Sequence, residues 1–321
     1  MTRMLPTNMR LRQIAWIMAC LFSLPVWAYA DSRIEKTLKL DPGGRFVLDS
    51  DAGSVTLAGS SERGANIVIT SNRDDLQDLL EFSFEDGPGT ARVTARRRHH
   101  LNWHNLSVHY EIRVPTETQL DLRTGGGSMR VASIHGDSEL KTSGGSMEVT
   151  GLEGRLSANT SGGGVRLRDI TGETRVGTSG GSMEADSVKG SLRAETSGGP
   201  IRAERIGGDL DAETSGGSIH VEGVSGHLVA KTSGGGVEVV FDKGNSRGGE
   251  VETSGGSIRV AVDPSVNLTL DASASGGGVS TDLPITVQGR ISSSSVHGTL
   301  GAGGESLRLH TSGGSIHIRA L

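Results

Sequence analysis

A short box, Thr-x-Gly-Gly, begins at Thr124, Thr142, Thr160, Thr178, Thr196, Thr214 and Thr232, and all six intervals are 18 residues. Further boxes start at Thr253, at Ala274 as Ala-Ser-Gly-Gly, and at Thr311, so the spacing loosens to 21, 21 and 37. Seven boxes in strict register define a repeat architecture, in which each unit buries its apolar face only by stacking on its neighbours.

Numbering each unit from its Thr as position 1 exposes the columns. Position 6 reads Met129, Met147, Val165, Met183, Ile201, Ile219, Val237, and position 8 reads Val131, Val149, Leu167, Ala185, Ala203, Val221, Val239. Position 11 is Ile134, Leu152, Ile170, Val188, Ile206 and Val224, until Asp242 breaks the column. Position 13 is always Gly, position 15 mostly Leu and position 17 mostly Ala. Positions 6 and 8 alternate with polar neighbours, the period of a half-buried strand. Positions 15, 17 and 1 share one parity, so a second strand points Leu, Ala and Thr inward. Gly at positions 3, 4 and 13, including Gly144, Gly145, Gly162, Gly163, Gly180, Gly181, Gly198 and Gly199, marks structural turns where positive φ is expected.

The fold class that follows is all-β: a single-chain parallel β-solenoid, or β-helix, of about 18 residues per coil. Stacked coils pair their backbone groups in parallel ladders around a thin core. A hairpin array would reverse each strand and would not hold identical residues in columns. Eighteen residues suit a left-handed hexapeptide helix, but the hexapeptide pattern is absent, so the period leaves the handedness open. The outward position 7 runs Arg130, Glu148, Arg166, Glu184, Arg202, His220, Glu238 and resumes at Arg259. Coils about 4.8 Å apart would repel if that column carried one sign, whereas alternation makes a ladder of cross-strand pairs.

Residues 31–121 are less regular and read as a β-rich cap with the first irregular coils, ahead of the regular solenoid at 122–321. Asp51 to Leu57 looks like a degenerate coil; Asn66 to Thr70, Arg92 to Arg96 and Ser107 to Val114 read as strands. Asp74 to Leu80 is expected to form a short amphipathic helix with Asn72 as its N-cap. Such a cap covers a sheet edge that otherwise invites aggregation.

Residues 1–30 read as a signal peptide: Arg3, Arg10 and Arg12, an apolar run from Ile14 to Val26, then Ala28-Tyr29-Ala30 before cleavage. The run is short for a membrane span and Pro25 interrupts it, so no integral span is expected after cleavage. The only cysteine, Cys20, lies within this segment, which leaves the exported chain, bound for the periplasm or cell surface, without disulfide or thiolate chemistry. Cleavage removes three Arg and no acid, taking the formal charge from −5 to −8 and arguing against a nucleic-acid partner. Aromatic residues are only 3%, so small side chains must fill the interior.

Val108-His109-Tyr110-Glu111-Ile112-Arg113-Val114-Pro115, then Leu120-Asp121-Leu122-Arg123-Thr124-Gly125-Gly126-Gly127, together with the closing Leu307 to Ile318 and the recurring boxes, resemble the bacterial putative-adhesin family, a β-solenoid domain of unknown function. The resemblance implies a noncatalytic extracytoplasmic module and supplies no active-site residues. A structural or adhesin-like binding role in the cell envelope is expected, with an envelope component, a glycan or a protein as partner and no cofactor.

The Gly-rich boxes lack the Lys and following helix of a phosphate loop, and they carry no acid for calcium. Arg193, Glu195, Asp211 and Glu213 gather on neighbouring coils and are the residues a carbohydrate-active solenoid enzyme, the alternative reading, would use as a carboxylate pair. An ice-binding face needs outward Thr rows, whereas position 1 points inward. The most unusual stretch is Arg96 to His104. There Arg97, Arg98, His100, Trp103 and His104 are the candidate residues for contact with a ligand or an anionic surface. A metal site would need more ligands than His100 and His104, with only His99 and His109 nearby.

Overall fold

The computed structural model describes residues 32–87, 89–98, 105–287 and 292–321. The signal segment and the candidate residues His100, Trp103 and His104 lie outside the described residues. Two long sheets of 14 and 15 strands face each other; the ladders between regular coils are parallel, and the antiparallel pairs lie at the two ends. Each regular coil gives one strand to each sheet, as Met147–Glu153 and Leu156–Thr160 do for one coil. Thr142 lies opposite Thr160 in one ladder and Met147 opposite Val165 in the other, the 18-residue step of the columns. The all-β solenoid reading therefore holds.

The inward columns close the core. Met129, Val131 and Ile134 from the first sheet meet Leu140 and Thr142 from the second, and each of them is at most 6% exposed. A fully buried side chain of this size contributes about 1.5–3 kcal/mol, so many thin layers supply what large aromatics provide elsewhere.

Keeping these columns inward needs two changes of parity per coil, because positions 6 and 8 are even while 11, 15, 17 and 1 are odd. One change occurs in the Thr-x-Gly-Gly corner. The other occurs at position 10, where Ser133, Gly151, Asp169, Ser187, Arg205 and Gly223 all adopt left-handed φ between 54° and 75°. A single left-handed residue re-aims the next side chain, and four of these six carry side chains that resist the conformation. The next coil lacks this kink: Phe241 sits opposite Val224 after a register shift and fills the column in place of Asp242.

Positive φ is not what the box glycines supply. None of Gly144, Gly145, Gly162, Gly163, Gly180, Gly181, Gly198 and Gly199 is left-handed, which corrects the expectation for positions 3 and 4. Position 4 is instead a close approach: a Cβ on Gly181 would lie 2.0 Å from the Gly163 carbonyl oxygen of the coil before. Position 3 has room, with nothing nearer than 3.8 Å at Gly180. At position 13 both effects occur, since Gly154 and Gly172 are left-handed and a Cβ on Gly190 would meet the Gly172 oxygen at 2.1 Å.

The threonine of each box ties adjacent corners. Thr178 Oγ1 donates to the Gly163 carbonyl at 2.7 Å and accepts the Gly181 N–H at 3.3 Å. The same bridge recurs at Thr160, Thr196, Thr214 and Thr232. A buried hydroxyl used in both directions satisfies backbone groups that a corner would otherwise leave unpaired.

The ends are interlaced. Coil Arg45–Ser60 lies between the later coils that contain Thr90–Arg97 with Val108–Pro115 and Gln119–Thr124 with Met129–His135. At the other end, Ser306–Thr311 and Ile316–Ala320 slot between Gly249–Val262 and the earlier Leu268–Thr281. The last box, Thr311, thus stacks on Thr253 as well as on Ala274. The cap strands occur as expected, but the helix shrinks to Leu76–Leu79. Asp75 occupies its N-cap position, while Asn72 bridges instead to the Asn105 carbonyl and the Ser107 N–H.

Candidate functional site

The strands of the second sheet carry position 18 outward, beside the corners where position 2 is an exposed serine. Stacking turns these two positions into the walls of one shallow groove of about 680 Å³ crossing the coils from Asn159 to Ser312. One side carries Asn159, Gly177, Glu195, Glu213, Lys231, Glu252 and His310, and the other Ser179, Ser197, Ser215, Ser233, Ser254 and Ser312. The floor is the buried row of box threonines. Gly177 sits beside Glu195 in the ladder, and the Asn159 side chain leans over it, since a Cβ there would meet Asn159 Oδ1 at 2.6 Å.

The groove is charged but largely self-satisfied. Arg193 bonds to Glu195 and reaches Asp211 Oδ2 at 2.7 Å. Lys231 lies 2.7 Å from Glu250 and 3.4 Å from Glu252. The Glu250 hydrogen bond raises the Lys231 pKa and, in return, Lys231 lowers that of Glu250. His310 Nδ1 shares a hydrogen bond of 2.9 Å with Ser273. Glu195 and Glu213 stand directly opposite each other on neighbouring strands, and among the described residues Glu213 has no ion pair.

The residues singled out in the sequence therefore divide. Glu195 and Glu213 line the groove, Arg193 and Asp211 pair just beside it, and the box glycines build its corner. Arg97 and Arg98 stand elsewhere, at the capped end: their N–H groups donate to Asp51 Oδ2 at 2.8 Å and to the Leu79 carbonyl at 3.0 Å. Both side chains are exposed and neither lines the groove. The serine row was visible in the sequence as part of each box, but only stacking shows that it flanks a continuous channel.

The charge ladder at position 7 is present in pairs, Arg130 to Glu148 at 3.0 Å and Arg166 to Glu184 at 2.9 Å. Arg202 departs from it and bonds along its own strand to Glu204. One relay resembles a nucleophilic triad: Ser280 Oγ lies 3.0 Å from His317 Nδ1, and His317 Nε2 lies 3.5 Å from Asp282. Its His and Asp side chains are 42% and 64% exposed on an open face, without the enclosed donors that stabilise an oxyanion.

Two stacked parallel sheets with a shallow lateral groove define a repeat-built scaffold of the solenoid class. Residues 208–319 match the model of the family described as Toastrack DUF4097, and over this part the chain is similar to a bacterial putative-adhesin family of unknown function. A putative adhesin from Bacteroides fragilis is similar at 12% identity, covering 90% of this chain and 97% of that one with a TM-score of 0.39. A putative cell adhesion protein from Clostridium sporogenes is 11% identical, with 91% and 100% covered and a TM-score of 0.23. A putative lipid binding protein from Parabacteroides distasonis is also 11% identical, with 89% and 96% covered and a TM-score of 0.27. A search of curated proteins finds no match.

Proposed function

We propose that this protein is a noncatalytic binding module of the bacterial cell envelope, exported to the periplasm or cell surface, and that it holds an extended polar ligand along the serine-lined groove. The single observation that carries this reading is the groove itself, a straight channel that repeats the same hydroxyl and backbone geometry on successive coils. A ligand with hydrogen-bonding groups at regular spacing, such as a glycan chain, meets equivalent donors and acceptors in each coil. Concave sites with a few convergent polar groups are the usual form of enzyme pockets, and this channel is open and spread out instead.

The enzyme alternative has less support. A glycosidase acid needs a carboxyl whose pKa is raised. Among the described residues, Asp75, Glu139, Glu250 and Asp263 are held below the usual carboxylate range by hydrogen bonds from a cation or from Ser265, the opposite of that requirement. The test is binding of the mature protein to a glycan panel and to envelope fractions. Replacing Ser197 and Ser215 with Trp should block the groove and abolish binding with the fold intact. If binding survives there but is lost when Arg97, Arg98 and Trp103 become Ala, the basic loop is the site and the groove is not.

A further inference from the structure

The two sheets do not end together at the capped end of the stack. Outward from coil Arg45–Ser60, the first sheet continues with Val108–Pro115, Ala65–Ser71 and Ser32–Leu38, whereas the second continues only with Thr90–Arg97 and Leu80–Gly87. Among the described residues, Ser32–Leu38 therefore has no strand facing it. That place adjoins Leu80–Gly87, an eight-residue strand that among the described residues is paired on one side alone.

That edge is not shortened, although it carries the charges of Glu81, Glu85 and Asp86. The opposite end of the stack finishes in strands of three and two residues, Val279–Thr281 and Thr286–Val287, too short to template a partner. Leu80–Gly87 instead turns Phe82 and Phe84 toward the core end, where they are only partly buried, with ring centroids 6.3 Å apart. Lys36, on the inward face of the first sheet with Ile34 and Leu38, places its ammonium 5.8 Å from the Phe84 ring. Glu81 and Glu85 on the outward face have no ion pair among the described residues, because Arg96, opposite Glu81, turns to Asp49 and Asp51.

We propose that Leu80–Gly87 receives an extended, basic peptide segment of another protein as an added antiparallel strand, which fills the vacant layer opposite Ser32–Leu38. Main-chain hydrogen bonds supply the affinity of such strand addition, and alternate side chains supply the specificity. The molecule itself shows which pattern pairs with this strand. On the occupied side, Ala95 and Val93 lie opposite Phe82 and Phe84, and Arg96 and Arg92 opposite Glu81 and Glu85. The partner is thus a strand with small apolar residues facing in and Arg or Lys facing out. A second copy is disfavoured, because antiparallel self-pairing centred on Ser83 sets Glu81 against Glu85, and like charges directly opposite repel.

The test uses the full chain and a synthetic peptide of the sequence Thr-Ala-Arg-Val-Thr-Ala-Arg-Arg, copied from residues 90–97, with binding followed by fluorescence anisotropy. Saturable binding is expected. A peptide with Pro in place of its Val, which lies opposite Phe84 and turns its N–H to the free edge, should lose it, since a missing N–H breaks the ladder. Replacing Glu81 and Glu85 with Lys, both exposed and outside the core, should weaken binding roughly tenfold while the circular dichroism stays unchanged. Equal binding of the Pro peptide would reduce the effect to charge attraction and overturn the proposal, as would no binding at millimolar peptide. A dimer of the protein alone that the peptide competes away would assign the edge to a second copy and overturn it as well.

Discussion

Gly180 and Gly181 are neighbours in one box, identical in the sequence, and the structure makes opposite predictions for them. A Cβ at Gly181 would lie 2.0 Å from the Gly163 oxygen and 2.4 Å from its carbon, backbone atoms that cannot turn aside. Restoring an ordinary contact of more than 3 Å means parting the two corners by about 1 Å, in ladders spaced about 4.8 Å. That displacement strains the Thr178 bridge, whose hydroxyl donates to this same carbonyl at 2.7 Å. Overpacking of this kind costs about 1–3 kcal/mol, and losing the bridge adds about 1 kcal/mol. Gly181→Ala is therefore expected to destabilise by about 3 kcal/mol, a fall in Tm of roughly 5 °C for a chain of this size. Gly180→Ala meets nothing closer than 3.8 Å, has no left-handed φ, and should be neutral or slightly stabilising through the unfolded chain. Urea titration and thermal melts of the two variants side by side decide the matter. Equal effects, or a larger effect at Gly180, would refute the close-approach reading of position 4.

Thr196→Val keeps the shape but removes the hydroxyl that joins Gly181 and Gly199, and should cost about 1–3 kcal/mol in urea unfolding, with Thr196→Ser recovering part of it. Asp169→Val places a branched side chain at φ of 55° and should cost about 1–2 kcal/mol, whereas Asp169→Gly should not destabilise. Glu148→Lys sets three cations in one column with Arg130 and Arg166, so the Tm should fall at low ionic strength and recover in high salt. The lowered carboxyl pKa values of Glu139 and Glu250 mean stability that is complete above the unfolded carboxylate range and is lost as pH falls through the folded values, which a pH series of melts will show. Burial pushes Tyr110 up to about 12, so its phenolate absorbance should rise well above the usual pH and denaturant should restore the ordinary titration; stability falls as pH climbs through that range.

The period, the inward columns and the alternating charges were legible because stacking at a fixed step leaves its mark on every unit. Met129, Met147 and Val165 report one environment three times over. What escaped the sequence reading has no fixed residue type or no fixed step. The left-handed kink at position 10 is filled by Ser, Gly, Asp and Arg alike, so composition does not betray it. Glycine at position 4 is conserved in form along the chain, but close approach and positive φ leave the same letter, and only the neighbouring Gly163 carbonyl tells them apart. Phe241 takes the core place that Asp242 leaves at the break in the column, because the coil drops its kink. The groove was invisible because Ser197 and Glu195 are ordinary surface residues until six coils align them. The basic loop was prominent by composition, yet Arg97 and Arg98 stand apart from that channel.

The interlaced ends also impose an order in time. A regular solenoid can add coils as its chain emerges, each new one landing on the last. Here coil Arg45–Ser60 stays uncovered on one side until Gln119–His135 has been made, some seventy residues later. Ser306–Ala320 must enter a gap bounded by strands that precede it in the chain. Assembly therefore nucleates in the middle repeats, where contacts are 18 residues apart, and finishes with two slow closures of long loops, one at each end.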